Sequence, residues 1–362
     1  MTYNYIVVGS GLTGATIARK LKDIGESVLV IEKRNHLGGN VHDQLHFSSI
    51  RYDTYGPHYF RTSDLEIWNF VNRFSKFYNF EACIKSYVDN EYVNWPLGYT
   101  YIKKVIGENW EPYFRGKPNN FEESALSLMP YEIYNKFIKN YNKKQWGIDP
   151  KLLSSELIKR FDVRLDDDPR LMPNHKFQGI PKDGYSSMMT NMLKDIPVLL
   201  NFDFLSNREK IKPNKMLIYT GPIDSFFNYK FGKLEYRGQK RYHEFIPDID
   251  FLLPSCQVNN PSIEYGDHIR TIEWKHIMPK EKSENIKGTL ITKEVSFSPI
   301  NSDDFEYPFP DKINKDLYNK YKHLASNQEK LLICGRLGEY KYYDMDQAIG
   351  RAFMLFNKII ND

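Results

Sequence analysis

Gly9-Ser-Gly11-Leu-Thr-Gly14 is the run of this chain whose residue types and spacing say most about chemistry. It follows the apolar stretch Tyr5-Ile-Val-Val8 and precedes a segment in which Ala15, Ala18, Leu21 and Ile24 fall on one helical face. Strand, glycine turn and helix in that order make an anion cradle. Gly9 permits the tight turn, Gly11 lets backbone approach a pyrophosphate, and Gly14 lets helix pack on strand. Gly25 stops the helix, and Val28-Leu-Val-Ile31 supplies a second strand. Glu32 ends that strand 23 residues after Gly9, where it would accept from an adenosine ribose hydroxyl. The motif alone serves NAD and FAD equally. Lys33 and Arg34 then lead to Gly38-Gly39-Asn40, a second close backbone approach, and Gly335-Arg336 forms a turn after the late apolar run Leu331-Leu-Ile-Cys334. Separated segments of this kind suit the longer cofactor, FAD.

The rest of the chain must position this cradle. With 362 residues, 41% of them hydrophobic, it can bury a full core and form more than one folding unit. A formal net charge of only +4, with both signs interspersed, gives no basic stripe for nucleic acid or an anionic membrane. Cys83, Cys256 and Cys334 lack metal-ligand spacing and read as reduced thiols of a cytoplasmic protein. No signal peptide and no membrane-spanning run is expected. The pattern predicts an α/β fold: a Rossmann-like FAD-binding domain from residues 1–62 with 326–362, an inserted, mainly helical domain over 63–165, and a mixed β-sheet domain over 166–325. Within the helical part, Tyr134, Phe137, Ile138 and Tyr141 share one face with Trp146 near its end. Met216-Leu-Ile-Tyr219 and Thr289-Leu-Ile-Thr292 are expected strands of the mixed sheet, and Asp344 is expected to cap the closing helix.

Several blocks go beyond generic dinucleotide binding. Tyr55-Gly-Pro-His58, Lys144-Gln-Trp-Gly147, Gln178-Gly-Ile-Pro181, Thr220-Gly-Pro-Ile-Asp224 and Glu339-Tyr-Lys-Tyr-Tyr-Asp-Met345 stand with the glycine loops in an order and spacing that resemble the UDP-galactopyranose mutase family over nearly the whole chain. The resemblance implies a UDP-sugar substrate in a cleft between three domains. It also implies reduced FAD as the nucleophile at the anomeric carbon, and interconversion of pyranose and furanose rings without net oxidation, for surface polysaccharide synthesis. Family members commonly pair as homodimers. By the same resemblance Arg160 and Arg270 hold the substrate diphosphate, Tyr307, Tyr342 and Tyr343 flank diphosphate and sugar, and Phe137, Tyr141 and Trp146 wall the uridine. Glu294 is implied as a polar contact in the sugar pocket, His58 as the residue against the flavin, and Asp344 with Met345 as the start of a helix beneath it.

One block departs from the family pattern. Gly56-Pro-His-Tyr-Phe-Arg-Thr62 places Arg61 where the family carries a second histidine near the sugar, beside the bulkier Pro57 and Tyr59. Arg61 could donate to an acetamido carbonyl, as for UDP-N-acetylgalactosamine, or fill the space of a missing hydroxymethyl, as for UDP-arabinopyranose. A FAD-dependent oxidase or dehydrogenase of the same fold, or a silent nucleotide-sugar binder, are the competing readings. The paired arginines favour a diphosphate ligand.

Overall fold

The computed structural model describes residues 2–160 and 163–361, with backbone alone for Lys159 and Arg160. Tyr5–Val8 and Val28–Ile31 are strands, buried almost throughout, because helices and loops cover both faces of the sheet they enter. That sheet is five-stranded and parallel, in the spatial order Val198–Leu199, Val28–Ile31, Tyr5–Val8, Met216–Tyr219, Leu331–Ile333. The helix between the first two strands runs Leu12–Asp23, starting earlier than its apolar face suggests, so Gly14 lies in its first turn. The closing helix, Met345–Asn361, packs beside it, and Ala15, Ala18, Ile349, Ala352 and Phe353 join one core with Val7 and Val30. Each buried Val, Ile or Leu side chain in such a core is worth about 1.5–3 kcal/mol.

A second sheet is seven-stranded and mixed, in the order Tyr307–Pro308, Tyr236–Ile246, Thr289–Phe297, Arg270–Glu273, Gln257–Asn259, Ile84–Val88, Glu91–Trp95. Two placements correct the pattern-based expectation. Met216–Tyr219 lies in the parallel sheet beside Tyr5–Val8, not in the mixed one, since a short apolar run does not say which sheet buries it. The segment expected to be mainly helical contributes the hairpin Ile84–Val88 with Glu91–Trp95 to the edge of the mixed sheet. Its alternating residues, interleaved with aromatics, carry both periods and so hide a strand. The remainder of that segment is helical around Phe121, Ile133, Tyr134, Phe137, Ile138 and Trp146, which form their own core. There Tyr134–Lys139 is a wide π-helical turn continuing into the helix Asn140–Trp146, closed by Gly147 at φ +75°. No helix among the described residues is long and apolar enough to cross a membrane.

Candidate functional site

Two cavities hold most of the expected cofactor and nucleotide residues. The larger, about 410 Å³, runs along the ends of the parallel strands and is lined by Gly9, Gly11, Gly14, Glu32, Gly38, Gly39 and Asn40 at one end and by His58, Tyr343, Met345 and Ala348 at the other. Helix Leu12–Asp23 has Gly11 at its N-cap with no side-chain cap and no acid in its first turn, so its leading N–H groups stay open to an anion. Close approach of backbone explains the glycines. A Cβ on Gly9 would sit 2.0 Å from Thr220 Oγ1, and one on Gly39 would sit 3.0 Å from the Cα of Gly11. Glu32 accepts from the amide and hydroxyl of Ser10 at 2.9 and 2.7 Å and from the amide of Arg34 at 2.9 Å, which fixes its carboxylate and leaves Oε1 room for one more donor. A dinucleotide with a ribose at Glu32 and its pyrophosphate at Gly11 fits these groups.

The other expected cofactor residues serve partly as buttresses. Arg34 donates to Asn40 Oδ1 at 2.9 Å and to the Asp303 carbonyl at 2.7 Å while stacking on Tyr55, and Lys33 pairs with Asp303 at 3.0 Å. Arg336 donates to the carbonyls of Glu306 and Tyr343 and covers the ring of Tyr342. His58 is held through Nδ1, 3.3 Å from the buried carboxylate of Asp53, whose Oδ2 also accepts the His58 amide at 2.8 Å. Burial pushes the Asp53 carboxyl up, against the opposing pull of His58.

The smaller cavity, about 170 Å³, lies between the π-helical segment and the mixed sheet, lined by Ser86, Trp95, Phe137, Tyr141, Gln145, Trp146, Asn259, Arg270 and Tyr307 among others. Strand register builds its polar floor. Arg241, Glu294, Arg270, Asn259 and Ser86 are direct partners across five neighbouring strands and therefore share one face. Glu294 is 0% exposed, with Oε1 taken by Arg241 Nε at 2.8 Å and Oε2 by Arg270 Nε. Burial would raise its carboxyl, but Arg270 and Arg241 outweigh burial and hold it below the usual range. Arg241 turns its terminal nitrogens to Glu306, both at 2.9 Å. Gly56, at φ +92°, backs directly onto this network, and a Cβ there would lie 2.8 Å from Glu294 Oε1.

The block Lys144-Gln-Trp-Gly147 is explained residue by residue. Lys144 donates to the carbonyls of Ser262, Gly266 and His268, Gln145 accepts from Gln239 and Ser296, and Trp146 packs edge-on against Tyr307 and Phe309. Gly147 lies against the Arg237 guanidinium.

Several other expected site residues are engaged with protein partners. Arg61 lines neither cavity. Its Nη2 pairs with Asp344 at 3.0 Å and its Nη1 donates to the Tyr59 carbonyl, because its strand, Phe60–Thr62, runs past the start of the closing helix. Asp344 thus spends its carboxylate on Arg61, while its carbonyl receives the Ala348 amide. Tyr343 faces the cofactor cleft with its hydroxyl on Glu339, whereas Tyr342 stacks on Tyr307 at 5.9 Å. Glu294 stands behind Arg270 rather than in the pocket. Arg160 lies outside the residues whose side chains are described. Sequence reasoning missed Arg241, Gln257 and Asn259 on their strands and Glu306 just before one, since isolated polar residues there carry no local signal. Tyr59 also acts at one remove, donating to Gln257, whose amide bonds Asn259 on the cavity floor.

A cleft with a dinucleotide cradle, and a second, aromatic cavity with an arginine in its floor, mark a dinucleotide-dependent enzyme with a place for a further, anionic ligand. A family model described as UDP-galactopyranose mutase matches residues 136–342, and one described as an NAD(P)-binding Rossmann-like domain matches residues 7–74. The dTDP-fucopyranose mutase of Escherichia coli is 32% identical over 96% of this chain and 96% of its own. A probable UDP-galactopyranose mutase of Klebsiella pneumoniae is 31% identical over 99% of this chain and 95% of its own. A crystal structure of reduced UDP-galactopyranose mutase shares the fold, with a TM-score of 0.76 over 99% of this chain and 96% of that one at 17% identity. The chain belongs to the UDP-galactopyranose mutase family. It is an isomerase that uses FAD.

Proposed function

We propose that this protein interconverts the pyranose and furanose forms of a nucleoside-diphosphate sugar, with the nucleotide in the aromatic cavity and the sugar between that cavity and the cofactor cleft. The observation that carries this reading is Arg270. Its Nε is bonded to Glu294, its side chain is 17% exposed, and among the described residues no protein acceptor is bonded to its terminal nitrogens at the cavity floor. A planar fork with free donors suits a diphosphate, and its bonds strengthen as charge develops on the departing nucleotide. An amine or apolar substrate would gain nothing from it.

When bound and reduced, FAD supplies the electron density for covalent catalysis at the anomeric carbon. The chain's residues do the rest. Gly9, Gly11, Gly14 and Gly39 admit the dinucleotide, Glu32 receives the ribose, and the N-terminus of the closing helix at Met345 places positive dipole at the far end of the cleft. His58, steered by Asp53 through Nδ1, keeps Nε2 for the cofactor. Phe137, Tyr141 and Trp146 enclose the base, and the stacked pair Tyr307 and Tyr342 borders the diphosphate. Arg160 is assigned the second diphosphate contact by the family pattern.

The substrate is a UDP-sugar in this reading, galactose, N-acetylgalactosamine or arabinose, used inside the cell by a homodimer. A second reading, a dTDP-linked 6-deoxy sugar, draws on the 32% identical relative. The commitment of Arg61 to Asp344 weighs against direct donation to an acetamido group. The test is anaerobic turnover of dithionite-reduced enzyme on UDP-galactose, UDP-N-acetylgalactosamine, UDP-arabinopyranose and dTDP-fucopyranose side by side, with light scattering for the dimer. Conversion of one of them without oxygen uptake is expected. Steady oxygen uptake with an amine, and no conversion of any, would overturn the reading.

A further inference from the structure

Fork-to-fork pairing is the preferred geometry of an arginine and a carboxylate, and it would consume the terminal nitrogens of Arg270. Glu294 cannot offer it. Its Oε1 is occupied by Arg241 Nε at 2.8 Å, leaving Oε2 alone for Arg270. Arg241 is in turn fixed by the carboxylate of Glu306, which takes Nη1 and Nη2 at 2.9 Å each, and by a 3.2 Å bond from Nη1 to the Gln239 carbonyl. Glu306 is itself buried, next to Tyr307 of the cavity wall, and its own carbonyl receives Arg336 of the cofactor cleft. Two glutamates and two arginines thus balance in charge, and among the described residues the open end of the series is the fork of Arg270.

We infer that Arg241 and Glu306 are positioning residues for the diphosphate: Glu306 clamps Arg241 on Glu294, and Arg241 thereby forces Arg270 to spend one nitrogen on the protein and keep its fork for the ligand. The inference rests on the reading of Arg270 given above. Electrostatics and positioning here predict opposite signs. Glu306→Gln removes a negative charge near a dianionic ligand, so simple Coulomb attraction would tighten binding. Loss of the clamp loosens it instead, because Arg241 shifts and Glu294 can draw in both nitrogens of Arg270.

The experiment is titration of FAD-loaded protein with UDP, by flavin fluorescence or calorimetry, for the wild type, Arg270→Ala, Arg241→Gln, Glu306→Gln and the Arg241→Gln, Glu306→Gln double variant. FAD content and melting temperature are measured alongside. Each single variant is expected to raise the Kd for UDP by about tenfold, the scale of one charge-assisted hydrogen bond. The double variant should be no weaker than Arg241→Gln alone, because Glu306 acts only through Arg241. Should Glu306→Gln fold poorly, Glu306→Asp keeps the charge but shortens the clamp and is expected to fall between wild type and Arg241→Gln. Unchanged or tighter UDP binding in a folded Glu306 variant, or additive effects in the double variant, would overturn the inference while leaving Arg270 intact. An unchanged Kd in Arg270→Ala would instead remove the functional reading beneath it.

Discussion

Replacing Gly56 by alanine tests whether the turn at residues 55–58 and the buried charges are one unit. Gly56 has φ +92°, which an L-residue adopts at a cost of about 1–2 kcal/mol. The added Cβ would lie 2.8 Å from Glu294 Oε1, 3.1 Å from Arg241 Nη2 and 3.3 Å from Arg270 Nη2. Carbon cannot stay that close to the carboxylate oxygen, so Glu294 must move off at least one guanidinium, forfeiting a charged hydrogen bond worth about 1.5–3 kcal/mol. Gly56→Ala should therefore cost roughly 2.5–5 kcal/mol, strain and lost bond together. Gly25 supplies the control. It has φ +88°, and a Cβ there would meet nothing within 4 Å, so Gly25→Ala carries the strain alone, about 1–2 kcal/mol. Urea unfolding of both FAD-loaded variants separates the two contributions, and UDP titration should show weakened binding only for Gly56→Ala. Equal destabilisation and equal UDP affinity in the two variants would refute the claim that the turn seats the network.

Further outcomes follow from the same geometry. Arg270→Ala should lose turnover by roughly a hundredfold or more while retaining FAD, as expected when a donor to developing charge is removed; full activity by anaerobic product assay would contradict its role. Glu32→Ala gives up the ribose acceptor and unties Ser10 and Arg34, so FAD affinity should fall by about tenfold or more, read as flavin fluorescence released on dilution. Burial, then the neighbouring His36, lowers His42 to about 4, and burial, then Lys144, lowers His268 to about 4. The unfolded chain takes up these protons near pH 6.5 and the folded chain only near pH 4, so stability is full above about pH 6.5 and falls across that window. Urea midpoints at about pH 7 and about pH 5 should show the drop, and His42→Gln should shrink it.

How much of this was legible in the sequence depended on how far apart the cooperating residues lie. The cofactor cradle is local: Gly9 to Glu32 spans one strand, one helix and one further strand, and the chemistry of a glycine turn is written in its own neighbours. Lys144 to Gly147 was legible as a block but not as a set of roles, since its contacts reach Gln239, Ser262 and His268. The row of Arg241, Glu294, Arg270 and Asn259 exists only through strand register. A shift of one residue in any pairing would turn a member of the row to the other face of the sheet. Arg270 and Glu294 stood out only through the family resemblance, while Arg241 looks like an ordinary strand charge and Asn259 like an ordinary strand amide. Arg61 was visible as a departure, but its partner, Asp344, stands at the opposite end of the chain and was expected to serve its own helix instead.

The order of strands in the parallel sheet also governs when this protein can become itself during synthesis. Tyr5–Val8 leaves the ribosome some two hundred residues ahead of Met216–Tyr219, which fills one of its two edges, and that strand's far side waits in turn for Leu331–Ile333. Until Leu331–Ile333 is made, a bare apolar β-edge persists in the nascent chain, an invitation to mispairing that chaperones must guard. Cofactor capture therefore waits for Leu331–Ile333 and the helix Met345–Asn361, and chains cut short before them should emerge colourless and insoluble.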